Sequence, residues 1–387
     1  MALNERVRAF APPVLALLWI AAVVVVSWQA TAHHNNNFEI FRTAWLNLWD
    51  GRDLYAPSTR HTDLFKYTPS FALLFAPFAI VPFGVGVLLW NALNAGALYW
   101  ALGRVLTPPH ALAARAIVFL DTIGAMQNVQ SNALVAGLMI LAFADAERRQ
   151  EFRAALAIVC GTLIKIFPLA ATAFMAFRPY RIPRFAAWCV LTAVVLLTLP
   201  LVVLSPHQLW QQYRSWISVQ RVDALDRGFS AMQQLHIWLG VDWPNWPVQL
   251  AGVIVLLAPL IRVSHFGQSQ FRLHFLASTL MFCVLFNHKS ESPTFVVAVA
   301  GVAIWFVTSA RDRIAWAMLA FVFIGTVVSS SDVMPQRWQR DFFDVYRFKT
   351  VPVLVVWLLT QIQLWRPHRS VSVARAEHES ARGVPVT

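Results

Sequence analysis

WCVLTAVVLLTLPLVVL, residues Trp188 to Leu204, carries no charged side chain in seventeen positions. That approaches the roughly 20 apolar residues an α-helix needs to cross a bilayer. It is not alone. ALLWIAAVVVVSW occupies residues 16–28, and comparable runs recur to the end of the chain. Apolar residues make up 58% of the 387 and charged residues 13%, where soluble domains average about 25% charged. The pattern predicts an all-α, polytopic membrane protein.

Spans are expected at about 11–29, 68–82, 84–103, 116–126, 131–146, 154–177 and 185–204, then at 247–261, 273–287, 293–309, 314–330 and 350–365. A bundle of about 10–12 transmembrane helices follows. It forms a single domain over 1–366, with a disordered basic tail at 367–387 on the cytoplasmic side. The formal charge of +12 sits in short loops, ERRQEFR (147–153), RPYRIPR (178–184), ARDR (310–313) and RPHR (366–369). Basic loops of this kind mark cytoplasmic helix ends. No basic groove with interleaved aromatics accompanies them, which excludes nucleic acid as a partner. The rule puts both termini inside an inner (cytoplasmic) membrane and two large polar segments, 31–67 and 205–243, outside. In the middle of the chain several segments are too short to cross alone. Interrupted helices, broken near QNVQSN (127–132) and TLIKIFP (162–168), reconcile the charges with the lengths, provided the broken backbone lines a cavity or lies inside protein.

In NNNFEIFRTAWLNLWDG (35–51), Phe38, Phe41, Trp45, Leu48 and Trp49 fall on one helical face. The reading is an interfacial helix in the first outside loop, its aromatic face in the membrane surface. Asn36 is its expected N-cap, with Glu39 as capping-box partner and Gly51 as the stop. Glu39 therefore has a structural role open to it, and also a catalytic one, as the base of an outward-facing site. HQLWQQYRSW (207–216) reads as a second surface helix.

The order of motifs resembles glycosyltransferase family 87, membrane enzymes that include polyprenyl-phosphate-mannose-dependent mannosyltransferases. Its features are an aspartate-led surface helix, a G-x-D-x-Y turn, a Y-x-P opening the second span, a GQ-N element and an LK-x-x-P element. These are matched here by NNNFEIF, Gly51-Arg52-Asp53-Leu54-Tyr55, Tyr67-Thr68-Pro69, QNVQSN and Leu163-Ile164-Lys165-Ile166-Phe167-Pro168. The likeness covers at least residues 30–170. It implies a bundle similar to the C-type membrane glycosyltransferases. The implied reaction is inverting transfer of a hexose, mannose foremost, from a polyprenyl-phosphate donor to a lipid or glycan acceptor on the outer face. Where the family has its leading aspartate, this chain has Asn37, whose amide cannot accept a proton. The catalytic candidates are then Glu39, which is favoured, with Asp53 and Asp63 behind it.

The substrate-binding candidates are Asn37, Tyr55, Lys66, Tyr67, Asn128, Gln130, Asn132, Lys165, Arg227, His288, Lys289 and Glu291. A lysine at span depth costs about 2.5–3.5 kcal/mol, so Lys165 faces a cavity, snorkels, or meets a partner. A substrate phosphate and Asp121 are both open as that partner. His288 and Lys289 suit a lipid phosphate, and equally the capping of helix ends. Asn128, Gln130 and Asn132 suit sugar hydroxyls, and equally backbone groups freed by a helix break. The three cysteines lie in or beside apolar spans without ligand spacing. No metal site and no cofactor is expected, although first-loop carboxylates would hold a divalent ion weakly. The rival readings are a transporter or flippase, since interrupted helices also build transport sites, and a non-catalytic binder of lipid-linked sugar.

Overall fold

The computed structural model describes residues 2–33, 35–223, 226–331 and 334–366. The tail expected at 367–387 lies outside the described residues. Those described are helical, with no strand among them.

The chain opens with α1 (Ala2–Ala32), followed by α2 (Asn36–Trp49), α3 (Pro69–Leu74) and α4 (Ala76–Ala79). Next come α5 (Phe83–Val105), α6 (Pro108–Gln127), α7 (Asn132–Glu147) and α8 (Glu151–Ile164). A 3₁₀ segment, Phe167–Phe177, precedes α9 (Ile182–Thr198), α10 (Pro206–Asp223), α11 (Ala231–Leu239) and α12 (Asn245–Leu257). The remainder is α13 (Ser269–Leu285), α14 (Phe295–Thr308), α15 (Arg313–Val322), the short α16 (Gln336–Trp338) and α17 (Thr350–Trp365).

Four helical stretches are long and apolar enough to cross a membrane: Phe10–Ala32, Phe83–Val105, Pro179–Val202 and Arg313–Ser330. Five shorter apolar helices accompany them among the described residues. Their outer faces are apolar as well. Leu17, Ile20, Val190, Val194 and Ile254 all stand more than half exposed. A surface of isolated aliphatic side chains on successive helices is a lipid-facing surface, since lipid solvates it without cost. The protein is a membrane protein.

At the centre lies α14, whose residues from Phe295 to Val307 are all buried. A helix apolar all round needs neighbours on every side. It packs against α13, α6, α7, α15 and α17. Its approach to α13 is close because residue 301 is glycine, where a Cβ would meet the Ala277 carbonyl oxygen at 2.6 Å. Gly137 plays the same part between α7 and α5, with a Cβ position 2.8 Å from the Ala97 carbonyl carbon. Small residues at such crossings are how helices associate where lipid removes the hydrophobic drive.

Three expectations change here. The span expected at 68–82 does not exist as one helix: α3 and α4 share it, and the long second span is α5. Pro69 sits in the first turn of α3, which Thr68 caps through its side chain, but Pro77 and Pro82 follow before the chain has gone far enough to cross. Proline supplies no N–H to a helical ladder, so the run is divided. The helix expected within 35–51 forms as α2, but its N-cap is Asn35, which accepts from the Asn37 and Phe38 N–H groups. Glu39 is thereby displaced from the capping-box position, and its backbone N–H reaches the Asn35 carbonyl. Most of the aromatic face is buried inside the protein, Phe38, Phe41, Trp45 and Leu48 among it, while Trp49 stays exposed. Phe38 and Phe41 are buried against Phe75, with Phe71, Tyr67 and Trp90 around Phe41. Such edge-on ring contacts add about 0.5–1.5 kcal/mol each beyond their buried area. The stop at Gly51 does form: φ is +67°, and the Gly51 and Arg52 N–H groups close on Leu48 and Asn47.

Candidate active site

The broken helices are what make room for a site. Between α6 and α7 the chain leaves helical geometry at Asn128 to Ser131, and Val129 takes φ +48°. The freed backbone groups are met by one face of α5. Trp90 Nε1 donates to the Val129 carbonyl at 3.1 Å, Asn91 Nδ2 to Met126 at 3.3 Å, and Asn94 Oδ1 accepts from the Leu134 N–H at 3.0 Å. Buried backbone groups need such partners. The second break is at Lys165, extended with φ −142° and ψ 137°, just before Pro168. There the Leu163 carbonyl takes the Thr68 hydroxyl at 2.8 Å, which ties the first loop to the interior.

Around these breaks lies a cavity of about 520 Å³. Asn37, Ile40 and Phe41 of α2 form one wall, the 63–68 loop another, and Thr162 to Phe167 the floor. The far wall combines Trp216, Ile217, Gln220 and Arg221 of α10 with Asn287, His288, Lys289 and Glu291. Lys66, Lys165, Arg221 and Lys289 line it with Asp63 and Glu291, a formal excess of two positive charges before the Lys289–Asp226 pair at the rim is counted. Polar and apolar walls meet here.

Hydrogen bonds fix the lining. Asp63 pairs with Lys66 at 3.0 Å and accepts from the Leu64 N–H at 2.8 Å. Gln130 Nε2 donates to Glu291 at 2.6 Å, and Asn132 Nδ2 donates to the Gln130 oxygen at 2.5 Å. Trp216 and Gln220 both donate to the Lys66 carbonyl, at 3.1 and 2.7 Å, so α10 clamps the first loop in place. Asn37 Nδ2 donates to the Asn128 carbonyl at 2.7 Å. Burial and the Glu291 charge push the Tyr67 phenol far above its ordinary range, so it stays a hydrogen-bond donor. Behind it, the Tyr55 hydroxyl donates to the Tyr67 carbonyl at 2.7 Å.

The 226–229 turn closes the rim. Lys289 Nζ meets Asp226 at 2.6 Å, and the Phe229 N–H donates to the Ser290 carbonyl at 2.7 Å. Gly228 has φ +44° and a Cβ position 2.5 Å from that same oxygen, so only glycine suits the approach. Partial burial raises the Asp226 carboxyl, but the Lys289 ammonium and the Gly228 and Arg227 N–H groups outweigh it and hold the carboxyl below its usual range.

Asn37, Asp63, Lys66, Tyr67, Gln130, Lys165, His288, Lys289 and Glu291 are thus brought together at the cavity. The others are not. Glu39, the favoured base, falls on the side of α2 opposite Asn37, Ile40 and Phe41, given about 3.6 residues per turn. Its carboxylate instead takes the Thr43 hydroxyl at 3.4 Å. Asp53 is spent on the turn, accepting from the Tyr55 N–H at 3.1 Å and from Ser215 at 3.3 Å. Tyr55 and Asn132 stand behind the lining and support it, whereas the Asn128 side chain is exposed and donates to the Gly124 carbonyl at 2.9 Å. Arg227 turns outward to Asp242 at 2.5 Å and the Trp243 carbonyl at 3.3 Å. Asp121 does not pair with Lys165; the charge facing it is Lys349. Sequence reading missed Arg221 and Gln220. Their signal was present in the second surface helix, where Trp216, Ile217, Gln220 and Arg221 recur at helical spacing one turn beyond the quoted segment. Among the described residues no group of three or more His, Cys, Asp and Glu is placed to hold a metal ion.

The fold and the site define a polytopic helical membrane protein with a cationic, part-apolar cavity at broken helix ends. The family model of glycosyltransferase family 87 matches residues 65–331, well over half of the chain, and the chain belongs to that family. The match begins at Phe65, so Asn37, Glu39 and the Gly51–Tyr55 turn precede it. Comparison with curated proteins gives no match. As a glycosyltransferase the chain takes a sugar donor and an acceptor.

Proposed function

We propose that the chain transfers a hexose, mannose foremost, from a polyprenyl-phosphate donor to a lipid or glycan acceptor. In this reading the cavity opens on the extracytoplasmic face of the inner membrane, with both termini in the cytoplasm. The carrying observation is the composition of the cavity: four cationic side chains and a histidine against two carboxylates, set among Ile40, Phe41, Ile166 and Phe167. The basic loops RPYRIPR and ARDR support the orientation.

The acceptor hydroxyl gives its proton to Asp63, the one first-loop candidate carboxylate that lines the cavity. Its oxygen forms a bond to the anomeric carbon from the face opposite the phosphate. The bond from that carbon to the phosphate oxygen breaks, its electron pair stays on the phosphate, and the configuration inverts. Charge then grows on the leaving phosphate, where Lys165, Arg221, His288 and Lys289 receive it. Preset cations in a site shielded from water are worth far more than in solvent. When Asp63 takes the proton, its ion pair with Lys66 is neutralised, which adds to the positive charge that meets the phosphate. Glu291, held by Gln130, and the Tyr67 hydroxyl orient the sugar.

A non-catalytic binder is the second reading, because Asn37 stands where the family's aspartate does and its amide is tied to Asn128. Purified protein in lipid, given radiolabelled polyprenyl-phosphate mannose and an extract of envelope glycans and lipids, separates the two. Transfer of label with polyprenyl phosphate released in step is expected. Label that stays on the donor, with several polyprenyl-phosphate sugars tried, rejects the transferase in favour of the binder.

A further inference from the structure

A second cleft, of about 480 Å³, lies between the first loop and α10 and is lined by Gly51, Asp53, Gln208, Gln211, Gln212, Arg214, Ser215 and Ser218. Nothing in the reaction proposed above uses it. Every lining residue except Gly51 carries a side-chain hydrogen-bonding group, and the one cation, Arg214, is balanced by one carboxylate, Asp53. A neutral, hydroxyl-rich ligand fits that inventory. A phosphate fits the other cavity, which carries the positive excess.

The cleft is a built feature. Gln212 Oε1 accepts from the Leu54 N–H at 3.1 Å and its Nε2 donates to the Arg52 carbonyl at 2.9 Å, fixing α10 to the loop. Ser215 bonds Asp53 at 3.3 Å across the cleft. At Gly51 a Cβ would stand 2.9 Å from Gln208 Nε2, so glycine lets that amide rest on the backbone. Gln211, Arg214 and Ser218 are exposed along the wall. On the helix, Gln208, Gln211, Ser215 and Ser218 occupy the side opposite Trp216 and Gln220, which line the other cavity.

Both sites therefore share α10 as a common wall, one on each side. A helix with its side chains is about 10 Å across, farther than one hexose reaches. A ligand engaging both must be an oligosaccharide laid over α10, its terminal hydroxyl at Asp63 and its inner sugars in the second cleft. We infer that this cleft is a binding site for the inner sugars of a neutral hexose oligosaccharide that serves as acceptor. The inference rests on the transferase reading for the word acceptor and for the span across α10, and on the hydrogen-bonding lining of the cleft for a sugar ligand.

The test is saturation-transfer NMR on the full chain in nanodiscs, with mannotetraose and separately maltotetraose, and no donor present. Ring-proton signal from at least one tetraose is expected, with affinity falling about tenfold in the exposed double variant Gln211→Ala/Ser218→Ala, the loss of two ordinary hydrogen bonds. Absence of signal from both tetraoses overturns the inference, as does equal affinity in wild type and variant. Polyprenyl-phosphate release is then measured on the same nanodisc preparations after polyprenyl-phosphate mannose is added. Tetraose binding without release keeps the cleft and removes the transferase; release with no effect of the double variant on tetraose affinity keeps the transferase and removes the cleft.

Discussion

Asn37 concentrates what is particular to this chain. Its amide donates to the Asn128 carbonyl at 2.7 Å, a bond an ionised aspartate cannot make. Asn37→Asp sets two acceptors against each other, and should destabilise the protein by about 1–3 kcal/mol without raising turnover; thermal unfolding in detergent and the transfer assay read the two effects. Lys165 has the opposite character. Lys165→Met removes a preset charge from the leaving phosphate and should lower kcat by about 10²–10³-fold, measured at saturating donor. The Asp226–Lys289 pair gives a pH dependence. A carboxyl held below its ordinary range stabilises the folded state above the unfolded value, about pH 4, and that stability is lost as pH falls through the lower folded value. The pair is partly exposed, so it contributes at most about 1 kcal/mol. The stability gap between wild type and Asp226→Asn should therefore be constant above pH 5 and close below about pH 4, as seen in melting curves taken across that range.

Among the elements, α5 carries the argument, because its polar face repairs the break between α6 and α7. Asn94→Leu leaves the Leu134 N–H unpaired in the interior and should cost about 1–3 kcal/mol, read from detergent melting midpoints. The breaks themselves were legible in the sequence: QNVQSN and TLIKIFP put amides, a lysine and a proline into runs too short to cross alone. The polar face of α5 was not. Trp90, Asn91 and Asn94 sit in a helix whose overall hydropathy hides them, and their purpose exists only once the break lies alongside. The amphipathic pattern of α2 located the helix but not its surroundings. Periodicity says that a face is apolar, and Phe38 and Phe41 would read the same against lipid or against Phe75. The register of its cap was missed by one residue among three consecutive asparagines, where composition offers no distinction. That slip also bears on Glu39, whose direction from the helix depends on neighbours that no single segment specifies.

In the molecule as a whole, the central helices and the lipid-facing ones form a bundle, and the first loop, α3, α4 and α10 make a cap around the broken ends. The class of fold was readable from hydropathy and loop charge. The cavity lining was readable in part as a set of residue types, because Asp63, Lys66, Lys165 and Lys289 are charges beside or within apolar runs, where lipid demands none. What joins Asp63, Lys165 and Glu291 across more than two hundred residues is packing, and α10 is the element that completes it. The decisive measurement is single-turnover transfer from polyprenyl-phosphate mannose by the wild type, Asp63→Asn and Glu39→Gln, with donor binding measured alongside. This reading predicts a loss of about 10²–10⁴-fold for Asp63→Asn with donor affinity kept, and a change within about twofold for Glu39→Gln. If Glu39→Gln abolishes transfer and Asp63→Asn does not, the base lies on the other side of α2 and the cavity described here is not where the sugar is transferred.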